Sequence, residues 1–203
     1  MTRDGLVHLI GNQPDLIVCA QAETAAAALT AVVNTKPDLV LADITLPDKS
    51  GIELIKDIKA VRPELPVLVI SMHDESLYAE RALKAGAAGY IMKVAGGEKL
   101  MEAIRHVLAG EVYVSENVSA RILKNLNGRP ASGAGNPIAS LSDREFEIFR
   151  VIAHGLSTRD IADRLHVSPK TVEAHRMNIK AKLGLDTAAE LISYAARWMA
   201  ESR

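Results

Sequence analysis

A single cysteine, Cys19, stands in a chain of 203 residues, so no internal disulfide and no multi-cysteine zinc site can form. Aromatic residues are almost as scarce at 3%, too few to pave a stacking surface for single strands or to line a ligand pocket. No apolar run approaches the ~20 residues that span a bilayer. The opening Met1-Thr2-Arg3-Asp4-Gly5-Leu6 lacks the long apolar stretch and cleavage pattern of a secretory leader. A cytoplasmic protein without a membrane partner is the expectation. Charge of one sign is missing too: 24 basic residues face 25 acidic ones, a formal net charge of −1. Against these absences, 48% of residues are hydrophobic, enough to bury a core and to exclude wholesale disorder. The length suits one large domain or two small ones.

Composition divides the chain. Residues 127–140, NGRPASGAGNPIAS, hold three Gly and two Pro with almost no bulky apolar side chain, the make-up of a flexible linker. Before it, Leu16–Ala20, Asp38–Ala42, Pro66–Ser71 and Ala88–Met92 are short apolar runs bounded by Pro, Gly or charge. Helix-period segments alternate with them: Glu23–Asn34, Gly51–Val61, Glu75–Ala85 and Gly97–Ala109. Strand–helix alternation with continuous apolar strands predicts a parallel sheet covered on both faces. After the linker no strand pattern remains. Ser142 with Glu145, Ser157, and Ser168 followed by Pro169 are helix-start signals. They predict a four-helix unit ending in a helix from about Thr187 to Met199, with only His166–Val167 joining its second and third helices.

Chemistry gathers at the strand ends. Asp43 follows one apolar run, Ser71 closes the next and Lys93 follows the last. A parallel sheet brings such ends to one edge, where functional sites collect. A carboxylate that accepts a phosphoryl group needs a cation and a hydroxyl to hold the new phosphate oxygens, and these three residues supply that set.

With these residues in view, DLVLADITLPDKSG over 38–51, VLVISMHDE, AGAAGYIMK and the later LSDRE and TVEAHRMNIKAKLGL resemble two-component response regulators of the NarL/FixJ type. The resemblance covers nearly the whole chain. It implies an α/β receiver, a flavodoxin-like doubly wound parallel sheet over residues 1–126, then the linker 127–140, then an all-α LuxR-type helix-turn-helix domain over 141–203. Asp43 would be the phosphoacceptor, Ser71 the switch hydroxyl, Lys93 the phosphate-pairing lysine and Tyr90 the aromatic that changes rotamer. Mg²⁺ would be held by Asp43 and the backbone carbonyl of Thr45. The implied partners are a sensor histidine kinase and double-stranded promoter DNA, bound as a homodimer. One departure stands out: the family's first, central strand and the acidic pair that ends it have no counterpart here, and Asp4 is a poor substitute ligand. An N-terminally incomplete receiver with weakly bound Mg²⁺ is therefore expected.

The third helix of the second part, residues 169–183, carries a net +3. At about 100° per residue, His175, Ile179 and Leu183 fall beside Val172 and form an inward stripe. Lys170, Glu173, Ala174 and Met177 collect opposite and are expected to face base edges in the major groove. Thr171, Arg176, Asn178, Lys180 and Lys182 flank them and are expected to face phosphates. Glu173 would accept from cytosine N4, and Ala174 or Met177 would touch a thymine methyl. The function expected is a DNA-binding transcriptional regulator controlled by aspartyl phosphorylation, and not an enzyme. The alternatives are a phosphorylation-independent regulator with a degenerate receiver, or an aspartate-nucleophile phosphotransferase. The latter would need an acid/base carboxylate close behind the nucleophile, and Asp48 is a poor one.

Overall fold

The computed structural model describes residues 2–126, 137–165 and 167–201. The chain divides into two compact units, residues 1–129 and 130–203. The linker expected over 127–140 lies mostly outside the described residues, as does His166. Its last four residues do not behave as linker. Pro137–Ser140 form a 3₁₀ turn whose Ile138 is buried, so they belong to the second unit.

In the first unit helices α1 (Arg3–Gly11) and α2 (Ala25–Thr35) precede β1 (Val40–Ala42). Then α3 (Gly51–Val61), β2 (Val67–Ser71), α4 (Glu75–Lys84), β3 (Gly89–Met92), α5 (Gly97–Leu108) and α6 (Glu116–Leu126) follow. The three strands are parallel in the order β1-β2-β3, with Val40 opposite Val67 and Ser71 opposite Met92. Every residue of β2 is buried, as the continuous apolar run requires of a strand with both faces covered. Leu68 and Ile70 pack with Ile91 and with Leu100, Met101, Ile104 and Val107 of α5. Val67 and Val69 point the other way, and α3 and α4 bury Ile52, Ile55, Ile58, Tyr78, Ala79 and Ala82.

The run Leu16–Ala20, expected to be a strand, is not one. Among the described residues it joins no ladder, and Ile17 is 90% exposed. Helix α6 was not expected. Ser115 starts it by accepting from the Val118 N–H, Val118 is buried, and Ser115 and Arg121 reach Glu75 and Glu80 of α4. The chain entering α6 lies along β3: the Tyr90 N–H donates to the Tyr113 carbonyl at 2.8 Å, and the Tyr113 N–H to the Ala88 carbonyl at 3.1 Å. Gly89 permits that approach, since a Cβ there would sit 2.6 Å from the Tyr113 oxygen.

The second unit holds α7 (Asp143–Ala153), α8 (Thr158–Arg164), α9 (Pro169–Leu183) and α10 (Ala188–Glu201). The start signals act as read. Ser142 and Glu145 form a capping box, as do Ser157 and Asp160, and the Ser168 hydroxyl accepts from the Thr171 N–H with Pro169 opening the helix. Phe146, Phe149, Tyr194 and Trp198 cluster where α7 meets α10.

Candidate functional site

The parallel register sets the ends of β1, β2 and β3 side by side, and the strand-end residues meet there. Lys93, in a 3₁₀ turn directly after β3, places Nζ 2.5 Å from Oδ2 of Asp43. Both side chains are largely but not wholly buried, so the carboxylate stays within reach of a ligand. The Thr45 N–H donates to the other carboxylate oxygen at 3.3 Å. Ser71 is buried at the end of β2, and its hydroxyl accepts from the His73 N–H at 3.2 Å. Tyr90 on β3 is buried, and its hydroxyl donates to the His73 carbonyl at 2.8 Å. Burial holds the Tyr90 phenol far above its ordinary range, against a smaller opposing pull from a Ser71 hydrogen bond, so Tyr90 keeps its proton and acts as a donor. Asp43, Ser71, Tyr90, Lys93 and Thr45 thus share one edge of the sheet.

Gly51 fixes the opposite wall. Its N–H donates to the Ile44 carbonyl at 2.7 Å, and a Cβ on it would lie 2.0 Å from the Asp43 carbonyl oxygen. Only glycine lets α3 start this close to the Asp43 backbone. Asp48 serves the fold: its carboxylate accepts the Ala25 and Ala26 N–H groups at 2.8 and 3.1 Å and caps α2. Burial works to raise its pKa, but those backbone bonds prevail and hold the carboxyl below its ordinary value. It is therefore committed away from acid/base work at Asp43.

His73 was not read as a site residue. Its ring nitrogen Nε2 lies 2.9 Å from the Thr45 hydroxyl, and its ring stacks on Tyr78 with centroids 5.0 Å apart. The backbone and side chain together tie Thr45, Ser71 and Tyr90 to one residue.

Receiver domains as a class use Mg²⁺ for phosphorylation. Among the described residues, however, no group of three or more His, Cys, Asp or Glu side chains could hold a metal ion. Asp43 and the Thr45 carbonyl are two donors, and one oxygen of Asp43 already faces Lys93. These donors alone do not make a fitting Mg²⁺ cage.

In the second unit α9 presents the face its sequence outlined. Val172 and Ile179 are fully buried, with His175 and Leu183 half-buried beside them. Lys170, Thr171, Glu173, Ala174 and Asn178 are exposed, and Met177 is 66% exposed. The flanking cations are engaged within the domain. Arg176 Nη1 donates to the Thr158 hydroxyl at 2.9 Å, and Lys180 Nζ to the Asp186 carbonyl at 3.0 Å. Lys182 Nζ donates to Oε2 of Glu145 at 2.7 Å. Burial pushes the Glu145 carboxyl up, but the Lys182 ammonium and the Ser142 N–H outweigh it and hold it below its ordinary range. Thr158, which sequence reasoning missed, also donates to Oε1 of Glu173 at 2.6 Å.

The comparisons agree with both halves. Residues 1–105 match the family described as response regulator receiver domain, and residues 139–195 match bacterial regulatory proteins, luxR family. The chain is 36% identical over 201 residues to the oxygen regulatory protein NreC of Staphylococcus aureus, covering 97% of this chain and 93% of that one. A LuxR-family two-component response regulator from Aurantimonas aligns with a TM-score of 0.57 at 34% identity, over 62% of this chain and 89% of that one. RcsB from Salmonella enterica serovar Typhimurium, solved on promoter DNA with a phosphomimetic, aligns over 95% of this chain and 92% of that one, with a TM-score of 0.60. At 23% identity the latter likeness speaks to fold alone. Among the described residues no helix is long and apolar enough to cross a membrane. With a receiver sheet whose strand ends gather Asp43, Ser71 and Lys93, and a helix-turn-helix unit after it, this chain belongs to the response regulators that join a receiver to a LuxR-type DNA-binding domain, transcription regulators controlled by phosphorylation.

Proposed function

We propose that Asp43 is the phosphoacceptor of this chain and that α9 reads duplex DNA. The observation that carries the first half is the Lys93 ammonium 2.5 Å from Oδ2 of Asp43 at the sheet edge that also holds Ser71. In the reaction a carboxylate oxygen of Asp43 attacks the phosphorus of a phosphohistidine on a sensor kinase. The O–P bond forms as the N–P bond breaks, and the histidine leaves with the electron pair. Lys93 stands where it offsets the charge of the transferred group, and the Ser71 hydroxyl is placed to turn from the His73 N–H toward a phosphate oxygen. That turn removes an acceptor from the 71–73 segment, to which the Tyr90 hydroxyl is also tied, and links the chemistry at Asp43 to Tyr90.

In the second unit Lys170, Glu173, Ala174 and Met177 meet base edges. Thr171, Arg176, Asn178 and Lys180 meet phosphates, and Lys182 keeps its ammonium on Glu145. The partners are a sensor histidine kinase, promoter DNA and a second copy of the chain on an inverted site, in the cytoplasm. The test is incubation of the full chain with acetyl phosphate and Mg²⁺, followed by phosphate-affinity electrophoresis. The parent is expected to give a weak shifted band, since its own donors make a poor Mg²⁺ site, and Asp43→Asn to give none. A shift that persists in Asp43→Asn, or a parent that never shifts, refutes the assignment.

A further inference from the structure

Thr158 opens α8 but has no share in capping it. Ser157 takes the Asp160 N–H and Asp160 returns a bond to the Ser157 N–H, which completes the cap without the neighbouring threonine. The Thr158 hydroxyl instead reaches α9. A hydroxyl has one proton and two acceptor sites. Arg176 Nη1 donates to the oxygen at 2.9 Å, so the proton goes to Oε1 of Glu173 at 2.6 Å. The second bond is a short, charge-assisted O–H···O⁻ contact. Guanidinium, hydroxyl and carboxylate thus form a directed chain in which each bond polarises the next. Glu173 and Arg176 lie on the open face of α9 or at its edge, and Thr158 reaches them from α8.

A glutamate on an exposed helix face ordinarily samples many rotamers, and that freedom is lost when it engages a base. Here one oxygen is already held by α8. We propose that Thr158 is a specificity-positioning residue. By fixing Oε1 of Glu173 it leaves Oε2 as a pre-aimed acceptor for the exocyclic amine of one cytosine in the major groove. The same bond holds Nη1 of Arg176, so its other N–H groups are left for the adjoining phosphate. This rests on Glu173 facing bases, as proposed above, and deepens it: the reading of one base pair depends on a residue of the preceding helix that touches no base itself.

The experiment selects binding sites from a randomised duplex pool with the full chain treated with acetyl phosphate, comparing the parent with Glu173→Ala, Thr158→Val and Thr158→Ser. Thr158→Val removes the hydroxyl and keeps the shape, whereas Thr158→Ser keeps the hydroxyl. The parent is expected to prefer cytosine at one position of each half-site. Glu173→Ala should abolish that preference, Thr158→Val should reduce it about tenfold at the same position, and Thr158→Ser should restore it. The salt dependence of binding to non-specific duplex should stay nearly unchanged in Thr158→Val, because the variant keeps every cation, Arg176 included, and loses only the hydroxyl that orients it. A purely structural role would lower the melting temperature of Thr158→Val and leave its base preference as in the parent, and that result overturns the proposal. If Glu173→Ala keeps the parent's preference, or the parent shows none, the placement of Glu173 itself fails and the proposal with it. If Glu173→Ala loses the preference while Thr158→Val retains it, Glu173 reads the base unaided and only the role of Thr158 is refuted.

Discussion

Lys182 and Glu145 offer the sharpest test of how α9 is held. The Glu145 side chain is only 5% exposed, and its Oε2 takes the Lys182 ammonium and the Ser142 N–H at 2.7 Å each. Lys182→Met keeps the apolar stem and removes the charge. Breaking a fully buried pair costs ~3–5 kcal/mol, but Lys182 is 40% exposed and Glu145 retains the Ser142 bond, so water and the backbone replace part of the loss. The expected destabilisation is about 1–2 kcal/mol. The pH dependence has a definite sign. The folded carboxyl lies below its ordinary value of 4.5, so its contribution is complete above that value. It disappears as pH falls through the folded value and the carboxyl protonates. The gap between parent and Lys182→Met should therefore be full at neutral pH and shrink as pH falls below the ordinary carboxyl value of 4.5. Urea unfolding followed by the fluorescence of Trp198 measures it. That residue is the sole tryptophan, and it packs on Phe146 and Phe149 with centroids 5.8 and 5.4 Å away. Its signal thus reports the second unit alone. Equal midpoints at neutral pH, or a gap that persists undiminished into acid, would refute the reasoning.

Other outcomes follow from single contacts. Gly51→Ala puts a methyl 2.0 Å from a backbone oxygen of Asp43, so α3 must shift; a loss above ~2 kcal/mol in thermal unfolding and sharply reduced acetyl-phosphate labelling are expected, and a parent-like melt with normal labelling contradicts the close approach. Tyr90→Phe removes the donor to the His73 carbonyl, at a cost of about 0.5–1.5 kcal/mol by urea titration monitored with circular dichroism. Lys180→Ala should weaken binding to all duplexes alike and lower the salt slope by about one; a change confined to one sequence would move Lys180 to the base-reading face.

Much of the fold was legible because its signals are local. Ser142, Ser157 and Ser168 each begin a helix through a bond that closes within three residues. Asp43 and Lys93 are 50 positions apart, yet their meeting was legible, since parallel strands deliver their ends to one edge. Leu16–Ala20 misled because an apolar run looks the same with or without a neighbouring strand, and the ladder depends on a partner remote in sequence. Helix α6 was hidden by its Ser and Asn residues, which favour turns; the apolar spacing of Val118 and Ile122 was the signal that could have revealed it. The bonds from Thr158 to Glu173, Lys182 to Glu145 and Thr45 to His73 escaped because side-chain pairs between elements depend on packing angles that no motif encodes.

By strand order β3 is an edge, yet its outer side is answered by the backbone of Tyr113, which takes the Tyr90 N–H and gives its own to Ala88. An exposed strand margin is a template on which other chains can add, and one residue's peptide groups withdraw this margin from that hazard. At the far side of the sheet, among the described residues, no strand or bridge shields β1. The two borders of one small sheet are therefore unequal in colloidal terms. Gly89, by admitting Tyr113, thus acts as a guard against strand addition at the β3 border.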